Sequence, residues 1–450
     1  MFPFDSFITR ATRSLAFTAV LVLTRPISGS AQTLTPHTIH LADGRTISLK
    51  LPPDLTIDVA VQGLRRARFM ATSPDNRIFV TDMFNRADNH RGSVYILDGW
   101  NPSTHSFAHV FPYLRNLRNP NNLAFYTEPP QSGHPAQSWL YLPLTDKLLR
   151  YKYNAGDAAP NSPPEVLATY PDYGLNYKYG GWHLTRTVAF GVENGKPRLF
   201  VSVGSSCNAC QEKEEIRATL SVMDPDGKNS RIIAHGLRNA VGLNFIPSLD
   251  GGALFATNMG ADHLGNQSPE DTFFKIVRND PQQAAPANYG WPTCYFADGS
   301  PHPDPAISSP GTSGRISPAP PSGPPPTQFD CTKVPAAYAT FPAHSSPLGL
   351  EYFDSTAHTS SLHNSFLVAL HGASHPSIGT GYRVVRLVGP NHNPQDFITG
   401  FLESATTKSA TTNGKLRIKG RPCGILRTGP DSFLLTDDLA GVIYSIHPTK

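Results

Sequence analysis

The chain is short of charge. Only 16% of its 450 residues are Asp, Glu, Lys or Arg, a small share for a cytosolic protein. The net charge is +4 with no long basic run, which gives nucleic-acid binding little support. Long stretches with apolar residues at helical spacing are also missing, and this argues against a helical architecture. Past the N-terminus there is no apolar run long enough to span a bilayer. What the chain has in quantity is 43 prolines and 36 glycines. They imply many turns and loops and favour an all-β fold. A hydrophobic fraction of 39% allows a sizeable core.

The N-terminus reads as an export signal. Arg10 and Arg13 precede the apolar stretch "LAFTAVLVL", and small residues follow in "SGSAQT". A cut after Ala31 gives a signal peptide over 1–31 and a mature chain over 32–450. The apolar run is too short for a stable membrane span. The expected location is therefore periplasmic or secreted, where disulfides persist. Five cysteines suit that compartment. Cys207 and Cys210 form C-N-A-C, expected to be a local loop staple. A bridge between Cys294 and Cys331 would close a long Pro/Gly/Ser-rich loop, leaving Cys423 as a buried free thiol. Sequence alone does not fix this connectivity.

A degenerate repeat runs along the chain. Each copy has a short polar lead-in, an apolar run with small residues, a turn and a second strand-like run. Copies begin near Arg68 ("ARFMATSPDNRIFVTD"), Asn121, Thr185 ("TRTVAFGVENGKPRLFVSVGS"), Arg238 ("RNAVGLNFIPSLDGGALFATN"), Ser346 and Arg421 ("RPCGILRTGPDSFLLTDDLAGVIYSIH"). Period-two alternation between P-D-N, D-G-G and G-P-D turns marks them as strands. About six copies predict a six-bladed β-propeller with blade insertions. The largest insertion, about 293–340, is too rich in Pro, Ser and Gly to build a core and is expected as an excursion between blades. A β-sandwich with a second domain gives no reason for the recurrence.

Equivalent positions of different blades converge on one face of a propeller. At the lead-in phase stand Arg68, His183, Arg238 with Asn239, His344 and Arg421. Alone, each could serve packing or bond a nearby carbonyl. Together they predict a cationic pocket for a ligand with several carboxylates, which guanidinium forks bind in paired hydrogen bonds. The loop "NMGADHLGNQSPED", 258–271, is rich in oxygen donors of the kind calcium accepts, although a plain turn explains it as well.

Eight segments in order carry a family resemblance: "HLTRTVAF", "VSVGSSCNAC", "MDPDG", "HGLRNAVGLNF", "NYGWP", "AHSSPLGLEYF", "ALHG" with "GYRVVRL", and "GRPCGI". Through them the chain resembles the soluble pyrroloquinoline quinone (PQQ)-dependent sugar dehydrogenases, in their sorbosone and pyranose dehydrogenase branch. The resemblance implies a six-bladed propeller holding PQQ and one calcium ion. It implies His183 as general base toward a sugar or sugar aldehyde, and Arg238 as the stabiliser of negative charge on the reduced cofactor. Arg68, Asn239, His344 and Arg421 become cofactor contacts. The carbonyls of Gly260 and Ala261, helped by Asp262, become calcium ligands. A cytochrome or a quinone is the expected electron acceptor.

Two segments depart from the family pattern. Ser205 stands where glucose-oxidising relatives carry an aspartate that orients the base. A serine brings no negative charge, which implies a weaker base or one oriented by another group. After His371 and Gly372 the chain reads "ASHPS" where the branch has Trp-Asn-Arg. Two other classes remain to be separated: a calcium-dependent propeller lactonase, and a propeller that binds without catalysis.

Overall fold

The computed structural model describes residues 32–130, 135–171, 183–277, 285–308, 329–388, 392–403, 411–412 and 415–449. The expected export signal lies outside these residues, as does 309–328 of the long insertion. The alternating segments form six sheets built on four antiparallel strands each, as the repeat predicts, and the third gains a short fifth strand, Ala287–Asn288, paired parallel to Arg231–His235. Their first strands are Ala67–Thr72, Ala124–Glu128, Arg186–Glu193, Ala240–Ile246, Pro347–Phe353 and Pro422–Arg427. Each touches the next, and the sixth touches the first, so they form a ring around a central axis.

The ring closes by joining the two ends of the chain. Three strands of blade 6 come from the C-terminal segment, and Leu55–Gln62 supplies the fourth. It pairs antiparallel with Val442–Pro448, from Leu55 opposite Pro448 to Gln62 opposite Val442. Apolar faces of neighbouring blades stack between the sheets. One such layer joins Trp139 and Tyr141 of blade 2 to Leu199 and Val201 of blade 3. Each large side chain buried in this way contributes roughly 1.5–3 kcal/mol.

Near the axis a recurring threonine ties four of the six blades to the next. Thr436 donates to the Arg68 carbonyl (2.6 Å), Thr81 to Asn121 (2.7 Å), Thr187 to Val241 (2.7 Å) and Thr257 to Leu348 (2.9 Å). All four are buried, so each hydroxyl satisfies a carbonyl that water does not reach. The glycines of "VGL" and "CGI" belong to the same contact. A Cβ on Gly242 would run into the Leu348 carbonyl oxygen, and one on Gly424 into that of Arg68.

The long insertion sits within blade 4 and not between blades. It leaves after the third strand, Asp271–Lys275, and returns as the fourth, Ala339–Phe341. Its described part carries a small hairpin, Cys294–Ala297 with Ser300–Pro303. Both expected disulfides are present, Cys207–Cys210 and Cys294–Cys331, and Cys423 is free and buried.

Strand direction decides where the chemistry collects. Every first strand begins on one face, and every link between second and third strands returns to it. That face therefore carries all the lead-ins together with the loops 204–218, 259–270 and 371–382.

Candidate active site

A cavity of about 300 Å³ opens on this face. Its wall includes Arg68 and Arg86 from blade 1, His183 from the blade 3 lead-in, and Arg238 with Asn239 from that of blade 4. Gly260, Asp262 and Asp271 come from blade 4, and His344, His371 and Ser374 from blade 5. Five of the six lead-in residues picked from the repeat thus share one wall. Ala261 is buried beside it but does not line it.

Arg421, the sixth, does not line the cavity either. It is buried, donates to the carbonyls of Gly372 and Ala373 (both 2.8 Å), and lies over the Tyr382 ring. It shapes the 371–382 loop from behind.

His183 is oriented by the residue that departs from the family pattern. Its Nδ1 lies 2.8 Å from Ser205 Oγ, and that hydroxyl donates its own proton to the Cys207 carbonyl (2.7 Å). The serine therefore has only a lone pair to offer the ring. This arrangement assigns the proton to Nδ1 and the lone pair to Nε2. Burial, reinforced by the Arg238 charge, holds the His183 pKa well below the ordinary imidazole value. At neutral pH the ring is an uncharged acceptor. A Cβ on Gly204 would come within 2.6 Å of His183 and 2.7 Å of Asn239 Oδ1, so "VGSS" needs its glycine to seat both. Ser205→Ala removes one of the two acceptors that hold the proton on Nδ1, the other being the Ser205 carbonyl at 3.1 Å. The expected result is a kcat lower by about tenfold with ligand affinity of the cavity unchanged, and rescue by Ser205→Thr. An effect on affinity alone would overturn this role.

The C-N-A-C loop grips the second catalytic candidate. Arg238 Nε donates to the Asn208 carbonyl (2.8 Å) and Nη2 to Asn208 Oδ1 (2.7 Å). The indole of Trp291 donates to the same carbonyl (2.9 Å), which explains the "NYGWP" segment as a brace on this loop. Arg238 also reaches the Gly260 carbonyl (2.7 Å) and Asp262 (3.0 Å). On the other side of Asp262 stands His344, with Nδ1 3.3 Å from the carboxylate and Nε2 2.8 Å from the Gly265 carbonyl. With acceptors at both nitrogens, His344 carries its second proton, and its pKa is raised, chiefly by Asp262. Burial pushes Asp262 up, but His344 and Arg238 more than reverse this, to about 2. Asp271 accepts from the backbone N–H of Gly260 and Ser346, yet burial lifts it to about 7.

Arg68 is held by Asp438 (2.9 Å) and Asn121 (3.0 Å). Asp438 also takes Arg66 (3.1 Å) and His371 (2.8 Å). Arg86 is exposed on the cavity wall and makes no hydrogen bond to another described residue. The pocket is thus cationic but buffered by carboxylates. Sequence reading missed Arg86, Asn208, Asp271 and Asp438. Asp438 had a signal, since "LTDD" extends the "VTD" that ends the same strand of blade 1. Arg86 had none, because the loops between second and third strands share no pattern.

The residues present suit the groups the resemblance implies. Arg68, Arg86, Arg238 and Asn239 on one wall are donors for several carboxylates. Gly260 and Asp262 offer hard oxygens suited to calcium, which would share them with Arg238.

A family model described as TrAA12-like matches residues 132–449. Among curated proteins, an uncharacterized protein of Borreliella burgdorferi is 25% identical over 264 residues, which are 58% of this chain; the chain spans 59% of that relative's length. Among solved structures, the PQQ domain of a Coprinopsis cinerea pyranose dehydrogenase superposes with TM-score 0.60 at 16% identity, covering 89% of this chain and 97% of that one. A calcium structure of a Trichoderma reesei protein of Carbohydrate-Active Enzymes Family AA12 gives 0.60 at 16%, covering 93% and 98%. The soluble aldose sugar dehydrogenase of Escherichia coli in its apo form gives 0.52 at 12%, covering 88% and 100%. At these identities the structural likeness is one of fold.

Proposed function

The chain belongs to the TrAA12-like family, and from that membership we propose that it is a PQQ-dependent dehydrogenase of a sugar or sugar aldehyde. The observation that carries this reading is the pairing of His183, clamped with its lone pair on Nε2, and Arg238 on the wall of one cationic cavity. Arg68, Arg86 and Asn239 would hold the cofactor carboxylates, with His344, its pKa raised chiefly by Asp262, on the same wall. Gly260, Ala261 and Asp262 would hold calcium. When bound, the quinone supplies the acceptor for hydride, and calcium the polarisation of its carbonyl.

His183 Nε2 would take the proton from the substrate hydroxyl as general base. Arg238 sits in the same wall, where its guanidinium would offset negative charge on a bound acceptor. The cavity wall and the low local dielectric make that offset stronger than it would be in water. Ser374, from the segment that differs from the family branch, faces the cavity and would touch substrate. The two disulfides fit a periplasmic or secreted protein, with electrons passing on to a cytochrome or a quinone.

Incubation of purified apoprotein with PQQ and calcium tests the reading. Retained quinone absorbance after gel filtration, and dye reduction with some member of an aldose panel, are expected. A protein that holds no quinone and reduces no dye overturns it. Hydrolysis of lactones without PQQ would favour the lactonase class instead. The arginine- and histidine-lined wall argues against that class, whose metal needs several side-chain oxygens.

A further inference from the structure

Far from the cavity, three segments bring two imidazoles and a carboxylate together. Asp58 lies on the N-terminal strand Leu55–Gln62, and His447 on the C-terminal strand Val442–Pro448 beside it. His105 ends the turn between Gly92–Asn101 and Ser106–Leu117 of blade 1. Asp58 Oδ2 is 2.8 Å from His447 Nε2 and 3.2 Å from His105 Nδ1. One atom from each residue lies within 4.8 Å of the other two. The imidazole rings stack with centroids 3.4 Å apart.

His447 Nδ1 lies 3.1 Å from the Pro448 carbonyl, so that nitrogen is placed to donate. A neutral ring then turns a lone pair on Nε2 toward the Asp58 carboxylate, acceptor against acceptor. A second proton on the ring, as at His344, or a cation between the two groups removes the conflict. His105 also adopts a left-handed backbone, φ 48°, at a turn position where glycine is the usual choice. That conformation is what carries its ring onto Asp58 and His447.

We infer that Asp58, His105 and His447 form a site for a divalent transition ion, with zinc as the best match. Two imidazoles and one carboxylate are zinc ligands, and Asp58 is half exposed, which leaves room for water in the fourth position. Bonds of about 2.0–2.2 Å at angles of roughly 90–110° put neighbouring ligand atoms about 2.9–3.5 Å apart, beside 2.8 and 3.2 Å for the two contacts of Asp58 Oδ2; the stacked rings must turn apart to aim both lone pairs at one ion. The Pro448 carbonyl acts as the outer partner that sets the His447 tautomer. Such an ion would join the N-terminal strand, the C-terminal strand and blade 1, and so staple the ring where it closes. It stabilises the folded chain because the unfolded chain does not bring these ligands together.

The test uses the full mature protein, stripped with a chelator, and does not depend on its activity. Calorimetry with zinc alone should find one ion per chain, and zinc should raise the thermal midpoint. His105→Ala and Asp58→Asn should each weaken binding by at least about tenfold and remove the thermal shift. A second readout is copper quenching of Trp100, whose ring lies 6.1 Å from that of His105. The quenching should disappear in His105→Ala and in Trp100→Phe. No zinc uptake by the parent protein, or equal uptake by both ligand variants, overturns the site. PQQ uptake by the same variants should be unchanged, so failure here is distinct from failure of the dehydrogenase reading.

Discussion

His183→Ala protein should still take up PQQ but turn over about 10²–10⁴-fold more slowly, the usual contribution of a positioned general base. Binding survives because the guanidinium groups of Arg68 and Arg86 are untouched by the substitution. Absorbance after gel filtration reads the first property, and dye reduction under saturating substrate reads the second. The parent enzyme should also show an unusual acid limb. Burial and Arg238 keep His183 well below the ordinary value of 6.5, so the base stays unprotonated as the pH falls through that value. The limb in kcat should therefore lie below pH 6.5, where an unperturbed imidazole would already be charging. A variant that turns over like the parent removes His183 from the chemistry. A variant that loses PQQ as well makes it a binding residue.

Asp438→Ala should cost about 3–5 kcal/mol of stability, as breaking a buried ion pair from one side does. The carboxylate is fully buried between Arg66, Arg68 and His371. Without it the Arg68 charge remains in the interior with Asn121 and the Cys423 thiol beside it. Blade 6 also loses one polar tie to blade 1 and one to the 371–382 loop, while those of Thr436 and Arg421 stay. The midpoint of urea unfolding of the apoprotein measures this, and Asp438→Asn, which keeps an acceptor, should fall between. An unchanged midpoint would overturn it. Burial pushes the Asp438 carboxyl up, but His371, Arg68 and Arg66 more than reverse this and leave it far below the ordinary carboxylate range. A group depressed in the folded state stabilises above its unfolded value and loses that contribution only as the pH falls through the folded one. Acid unfolding should therefore begin elsewhere in the molecule. The same substitution should weaken PQQ binding, since Arg68 loses the group that aims it.

The propeller was legible because its cause is local and repeated. Alternation, turn residues and small residues near the axis recur in copy after copy, and the threonine latches explain why "VTD", "FATN" and "LTD" recur with them. Convergence of Arg68, His183, Arg238, Asn239 and His344 followed from that symmetry, because equal phase in different blades means one end of one axis. Symmetry could not tell which of those side chains faces the opening. Arg421 has the right phase, yet the carbonyls of the 371–382 loop claim its guanidinium. The place of the long insertion escaped for a related reason. The fourth strand of blade 4 is three residues long and lies beyond the break, and only pairing with Asp271–Lys275 identifies it.

Ser205 shows the boundary most clearly. As a residue type it promised a base without a charged partner. In the fold its hydroxyl is committed to the Cys207 carbonyl, and that commitment turns it into an acceptor that orients the ring. The sequence by itself determined the strands, the number of blades, the polar phase of each and the cysteines able to pair. Those depend on neighbours in the chain and on periodicity. Only the tertiary structure decided which lone pair meets which proton at His183, which carboxylate neutralises Arg68, and that both chain ends meet blade 1 at Asp58, His105 and His447. Those depend on distances of about 3 Å between residues remote in the chain, where hydrogen bonding and charge act only at contact.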